Sequence, residues 1–347
     1  MRFTTLQVAV SILSMAAAVP AAGQAGAPGA TAGQAGAPAS QPGMPANPAA
    51  GGPRRFAPPP PPMRVWAPKK TPYSNYVAPN KPWWKLADVL AMHKNEKSWS
   101  QPVIRNKDIV ADWHQLAAGQ ATAPVAYSDN RTALIVWSGE IKVSIAGQEP
   151  FVARKGFEID VPFRVPFTLE VQGDQPGLYL EIHDASDMPI YPVETTKTKP
   201  KALNGFEYEE RLASGGPGNW DPMNKPYLDY YKDVIGGTTR ATAFIQSQHM
   251  FVNNIRGPGA ETPPPSNLGH YHIGYDEFWF VMEGNVTLQV EGVPVFTASA
   301  GDIITAAQGH WHRASFGGPI GQMATRVAVN PYPSGLHGYT IESGGRQ

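Results

Sequence analysis

Two short stretches of this 347-residue chain set cation-holding side chains at short, regular intervals. The first, LGHYHIGYDEFWFVMEG from Leu268 to Gly284, carries His270, His272 and, five residues later, Glu277. A strand sends residues i and i+2 to one face, so His270 and His272 point together while Tyr271 points away. Gly274, Tyr275 and Asp276 form a turn, and a second strand starting at Glu277 puts Trp279 and Val281 on the face of Glu277. Two imidazoles and a carboxylate then converge from adjacent strands. The second stretch, GDIITAAQGHWHR, repeats the His-x-His spacing at His310 and His312 and supplies a third imidazole. Three imidazoles and one carboxylate make a mixed nitrogen and oxygen set suited to one divalent transition metal (Mn, Fe, Ni, Cu or Zn), with two positions left open in a six-coordinate ion.

Around these donors the sequence offers the walls of a pocket. Trp279 is the aromatic whose alternation aims it inward, and Tyr271, Phe278, Phe280 and Trp311 lie close by in sequence. Such walls fit a flat or phenolic substrate. Arg256, just upstream, is of the type that grips a carboxylate through two parallel hydrogen bonds. Proton transfer from a phenol needs a base. Glu277 serves if it loosens from the metal, and His310 is the nearest alternative.

The elements that must hold these residues announce themselves as a repeat. GEIKVSIAGQEPFVARKG from Gly139 overlies GNVTLQVEGVPVFTASAG from Gly284 at a constant offset of 145 residues. Gly139, Gly147 and Gly156 fall on Gly284, Gly292 and Gly301, and Phe151 falls on Phe296. Glycines recurring at tight-turn spacing imply one chain path used twice. Between them Ile141, Val143 and Ile145 alternate with polar residues, as do Val286, Leu288 and Val290, which reads as β-hairpins of a small barrel or sandwich. Upstream, Trp84, Leu86, Val89 and Leu90 suggest one short amphipathic helix.

The remainder of the chain bounds its setting. Arg2, an apolar run from Leu6 to Val19 and small residues to Ala21 have the three-part form of a secretory signal, so residues 1–21 are expected to be removed and the protein exported to a periplasmic or extracellular space. Residues 22–63 are rich in Ala, Gly and Pro and are expected to form a disordered linker. No later stretch is apolar enough to span a bilayer. The 28 basic and 28 acidic side chains cancel without any basic block, which argues against nucleic acid as a partner. The absence of cysteine excludes disulfides, thiolate metal sites and thiol nucleophiles.

The motifs resemble those of the cupin superfamily. Its first motif runs His-x-His, then Glu five residues on and Gly seven beyond, as His272, Glu277 and Gly284 do here. Its second motif is matched by Gly301, Asp302, Gly309 and His312, which makes His312 rather than His310 the third imidazole ligand. Ala307, Pro264 and Phe316 depart from the pattern at loop and packing positions. The resemblance implies an all-β protein of two jelly-roll barrels in tandem with short helices, residues 64–200 forming the first and 201–347 the second. The offset places Val125, Tyr127, Thr132 and Phe167 opposite the four ligands, so the first barrel is expected to be degenerate. Bicupins with three His and one Glu include quercetin dioxygenases and oxalate decarboxylases. The implied function is a metal-dependent enzyme of dioxygenase type on a small organic molecule. Metal-assisted decarboxylation, isomerisation or lyase chemistry is the alternative, as is a cupin that binds without turnover, and homo-oligomeric assembly stays open. Elemental analysis is expected to give one metal per chain, and two per chain would contradict a degenerate first barrel.

Overall fold

A computed structural model describes residues 65–339 apart from 222–223, 238–240, 260–266, 320 and 332–336. The expected signal and linker at residues 1–63 lie outside the described residues. Among these residues strands dominate, with one α-helix, Leu86–Met92, and one π-helix, Tyr230–Ile235. Trp84, Leu86 and Val89 of the helical region are buried as expected, whereas Leu90 faces solvent.

Two sandwiches result, each of one six-stranded sheet and a smaller partner. In the C-terminal one the six-stranded order is Trp83–Trp84, Ile303–Ala306, Glu277–Glu283, Met323–Asn330, Phe251–Pro258 and Ala241–Gln246. Facing it are Val293–Ser299, Asn285–Val290, His312–Gly317, His270–His272 and His337–Tyr339. The N-terminal six-stranded sheet runs Tyr227–Asp229, Phe157–Val161, Thr132–Ser138, Gly177–Asp184, Ile109–Leu116 and Trp99–Arg105. Its main partner sheet holds Phe151–Ala153, Glu140–Ile145 and Phe167–Gln172. This is the all-β, tandem jelly-roll architecture that the motifs imply.

The repeat holds down to single strand pairs. Ile145 pairs with Phe167 where Val290 pairs with His312, and Thr132 with Val161 where Glu277 pairs with Ala306. All three pairs of matched glycines have positive φ, from Gly284 at 68° to Gly301 at 93°. At Gly139 and Gly284 a Cβ would also meet a backbone oxygen, of Pro176 at 2.5 Å and of Met323 at 2.8 Å. Only glycine meets both demands.

The central strands of the large sheets serve two cores. Phe278, Phe280, Met282, Val327 and Val329 point out of the C-terminal barrel and pack with Ile104, Trp113, Leu180 and Ile182 of the N-terminal one, so the six-stranded sheets join face to face. Trp279, Val281, Ile304 and Ala328 point inward with Val286 and Leu288 of the facing sheet. The strand Trp83–Trp84 edges the C-terminal sheet and Tyr227–Asp229 edges the N-terminal one, so the chain crosses between barrels at both ends.

A carboxyl group is buried between the sheets. Glu158 Oε2 accepts a hydrogen bond from Asn254 Nδ2 at 2.7 Å, while Glu158 Oε1 has no partner among the described residues. Burial pushes this carboxyl up to about 8, against a smaller lowering by the Asn254 hydrogen bond. A folded state that holds a proton the unfolded chain releases is most stable below the unfolded value and loses that stability as pH rises through the folded one. Glu158→Gln is therefore expected to gain stability relative to the wild type between pH 5 and pH 9, at most about 1.4 kcal/mol per pH unit. Urea unfolding across that range tests it, and a pH-independent difference would refute a protonated Glu158. The same slope from Asp160, which burial raises to about 7, is common to both proteins and cancels.

Candidate metal centre

His270 and His272 lie on one short strand with both side chains buried and Tyr271 between them turned outward, as the period of two requires. His270 pairs directly with His312 on the neighbouring strand, and their ring centroids are 4.6 Å apart. This close pairing explains Gly269, whose φ is 72° and whose Cβ would lie 2.5 Å from the His312 carbonyl oxygen. Glu277 does not come from a strand adjacent to the histidines, contrary to the expectation from the motif. It opens a strand of the opposite, six-stranded sheet, and its carboxylate meets the imidazoles across the barrel interior.

The four donors converge tightly. Glu277 Oε2 is 2.8 Å from His272 Nε2 and 3.4 Å from His312 Nε2, and one donor atom from each of the four residues lies within 4.8 Å of the others. Two donors about 2.1 Å from one ion and at right angles are about 3.0 Å apart, so these separations suit a shared cation. His312 is oriented for that role. Its Nδ1 donates to the His310 carbonyl at 2.9 Å, which leaves Nε2 as the nitrogen with the lone pair. His312 Nε2 is buried and has no hydrogen-bond partner, a deficit that a metal ion removes.

Burial works to raise the Glu277 carboxyl, but the imidazoles of His272 and His312 beside it hold it well below the ordinary carboxylate range. It is a carboxylate ready to ligate. The two motif loops are tied to each other beneath it: Gln308 N donates to Asp276 Oδ1 at 2.6 Å, Gln308 Nε2 to the Ile273 carbonyl at 2.6 Å, and Gly309 N to the His272 carbonyl at 3.0 Å. Tyr275 stacks on His272 at 4.4 Å, and Trp279, buried inside the barrel as expected, lies 5.8 Å from the His312 ring.

Two expected site residues are elsewhere. His310 is buried, but its Nδ1 is 2.9 Å from the Glu291 carbonyl and its Nε2 2.6 Å from the Ser74 carbonyl. Both nitrogens are engaged outside the donor cluster, so His310 is not placed to act as a base. Arg256 pairs with Thr325 and sits on the outer face of the sheet, with its Nε 3.6 Å from Glu283 Oε2. It does not enter the pocket. The residue that does is Arg326, one position further along the partner strand; it pairs with Val281 and sets its guanidinium over the Trp279 ring at 3.9 Å. The visible signal was a lone charge in the apolar alternation of ATRVAV, but sequence alone does not say which face it takes.

At the matching places of the first barrel, Val125 bridges Phe167 as His270 pairs with His312. Valine and phenylalanine offer no lone pair. Tyr127 instead donates to Glu181 Oε1 at 2.5 Å and stacks on His183.

Comparison with known proteins bears on the fold. Residues 257–319 match the family model described as Cupin domain. No curated protein matches the sequence. Among solved structures, the chain is similar to a salicylate 1,2-dioxygenase variant from Pseudoaminobacter salicylatoxidans in complex with gentisate, at 11% identity and a TM-score of 0.52 over 72% of this chain and 81% of that one. It also matches Bacillus subtilis oxalate decarboxylase with Mn(II) centres, at 12% identity and a TM-score of 0.44 over 70% and 75% of the two chains.

The His312→Ala variant is expected to lose stoichiometric metal, whereas His310→Ala keeps it and melts several degrees lower, because the buried ring that ties the Ser74 segment to Glu291 is lost. Elemental analysis beside thermal unfolding separates the two; metal loss confined to His310→Ala would reassign the site.

Proposed function

From the match of residues 257–319 to a cupin domain, we propose that the protein is a metal-dependent oxidoreductase of dioxygenase type acting on a small organic molecule inside the C-terminal barrel. The observation that carries this reading is the convergence of three imidazoles and one carboxylate, all buried, at the edge of an apolar interior. A divalent metal held by His270, His272, Glu277 and His312 supplies Lewis acidity and, if redox-active, electron transfer to dioxygen.

The chain's own residues account for binding and proton handling. Trp279 offers an aromatic wall beside the cluster, and Val281, Val286, Leu288 and Ile304 exclude water from the interior behind it. Glu277 is the one carboxylate in the donor group, so it is the side chain positioned to take a proton from a substrate hydroxyl. The similarity to a salicylate 1,2-dioxygenase fold supports oxygen chemistry on a compact aromatic, and the signal-like start of the chain supports action outside the cytoplasm.

The test is oxygen uptake by protein loaded with Mn, Fe, Ni or Cu against a panel of phenols and enediols. Glu277→Gln is expected to retain a substantial part of the metal, since the amide oxygen still reaches it, and to lose most turnover. Product formed without oxygen uptake would move the protein to decarboxylase, isomerase or lyase chemistry. Full activity in Glu277→Gln would remove Glu277 as the base.

A further inference from the structure

Within the apolar half of the C-terminal barrel there is one feature that the metal centre does not explain. Arg326 lies opposite Val281 on one side and Ile255 on the other, and antiparallel partners share a face, so its side chain enters the barrel with Val281, Trp279 and Glu277. The guanidinium carbon stands 3.9 Å from the Trp279 ring. Nε and Nη1 are both buried, and neither has a hydrogen-bond partner among the described residues.

An arginine keeps its charge, and buried guanidinium donors left without a partner are costly unless an anion compensates them. Placement over the indole offsets only part of that. No carboxylate of the described residues forms an ion pair with Arg326; the Arg256 of the outer face, by contrast, has Glu283 at 3.6 Å. Burial pulls the Arg326 guanidinium below its ordinary value, with the charge of Glu277 opposing from the donor cluster. The guanidinium is thus held over an aromatic wall, on the face that carries the metal ligands, with no ion-pair partner among the described residues.

We propose that Arg326 is a substrate-anchoring residue that binds the carboxylate of a small hydroxy acid, whose hydroxyl oxygen faces the cluster of His270, His272, Glu277 and His312. A planar carboxylate matches the guanidinium fork through two parallel hydrogen bonds, and an uncharged amide of the same shape does not. The inference rests on the barrel interior being the substrate site, but it does not depend on the reaction performed there.

Equilibrium binding tests it with zinc-loaded protein, in which oxygen chemistry is silent. The probes are glycolate, salicylate, 3-hydroxybenzoate and 4-hydroxybenzoate, each beside its amide, followed by calorimetry and by thermal shift. At least one acid is expected to bind about tenfold tighter than its amide or better. Arg326→Gln should bring acid and amide within about twofold at unchanged metal content, and Arg326→Lys should restore part of the preference. The wild type provides a second measurement that needs no variant: the preference should survive removal of zinc by a chelator. If no acid outbinds its amide, if the preference remains in Arg326→Gln, or if it exists only with zinc bound and so belongs to the ion, the assignment is overturned. Failure of oxygen uptake with the acid preference intact would instead overturn the oxidoreductase reading alone.

Discussion

The alternation of side chains across a β-strand governs this molecule more than any single contact. The strand Glu277–Glu283 is buried on both faces for most of its length. Its odd-numbered residues Glu277, Trp279 and Val281 line the barrel, and its even-numbered residues Phe278, Phe280 and Met282 form the seam with the N-terminal sheet. A shift of one residue in its pairing would exchange the two sets, carrying a carboxylate into an apolar seam and aromatics away from it. Register is therefore fixed by two cores at once, and the metal ligands inherit that precision.

The second constraint is the cost of gathering polar groups in an apolar interior. Imidazoles and a carboxylate without water are tolerated only when every donor and acceptor has a use. Here the outer nitrogen of His312 is spent on a backbone carbonyl, and the motif loops are held to each other through Asp276, Gln308 and Gly309. The aspartate of the second motif does structural work at the other end of its strand. Asp302 accepts from Trp83 Nε1 at 2.9 Å and from the backbone N–H of Leu86 at 3.0 Å, which fastens the start of the helix to the barrel. The preceding segment is drawn along the same edge by Lys69 on Glu291, by Ser74 on His310, and by Tyr76, which donates to the Thr305 carbonyl at 2.7 Å.

The two barrels show what duplication preserves and what it releases. Turn glycines and strand pairings persist because each is required by backbone geometry, whatever fills the interior. The interior positions are free to change provided that volume and polarity stay balanced. In the first barrel the bridge between Val125 and Phe167 has become apolar packing, and Tyr127 with Glu181 forms a hydrogen-bonded pair in place of a donor cluster.

The sequence by itself determined the strands, the turns, the duplication and the four donors, because each is encoded locally. Period-two alternation, glycine at positive φ and His-x-His spacing depend only on neighbours a few residues away. It determined the direction of Trp279 for the same reason. What tertiary structure decided is which face of each strand meets which partner. That separates Arg326, inside the barrel, from Arg256, on the outer face beside Glu283, although both are arginines in alternating strands. It placed Glu277 in the sheet opposite the histidines, and it spent both nitrogens of His310 on carbonyls as distant in sequence as Ser74. Contacts of this kind join residues tens to hundreds of positions apart. Their partners are chosen by packing of the whole sheet, and no local pattern records that choice.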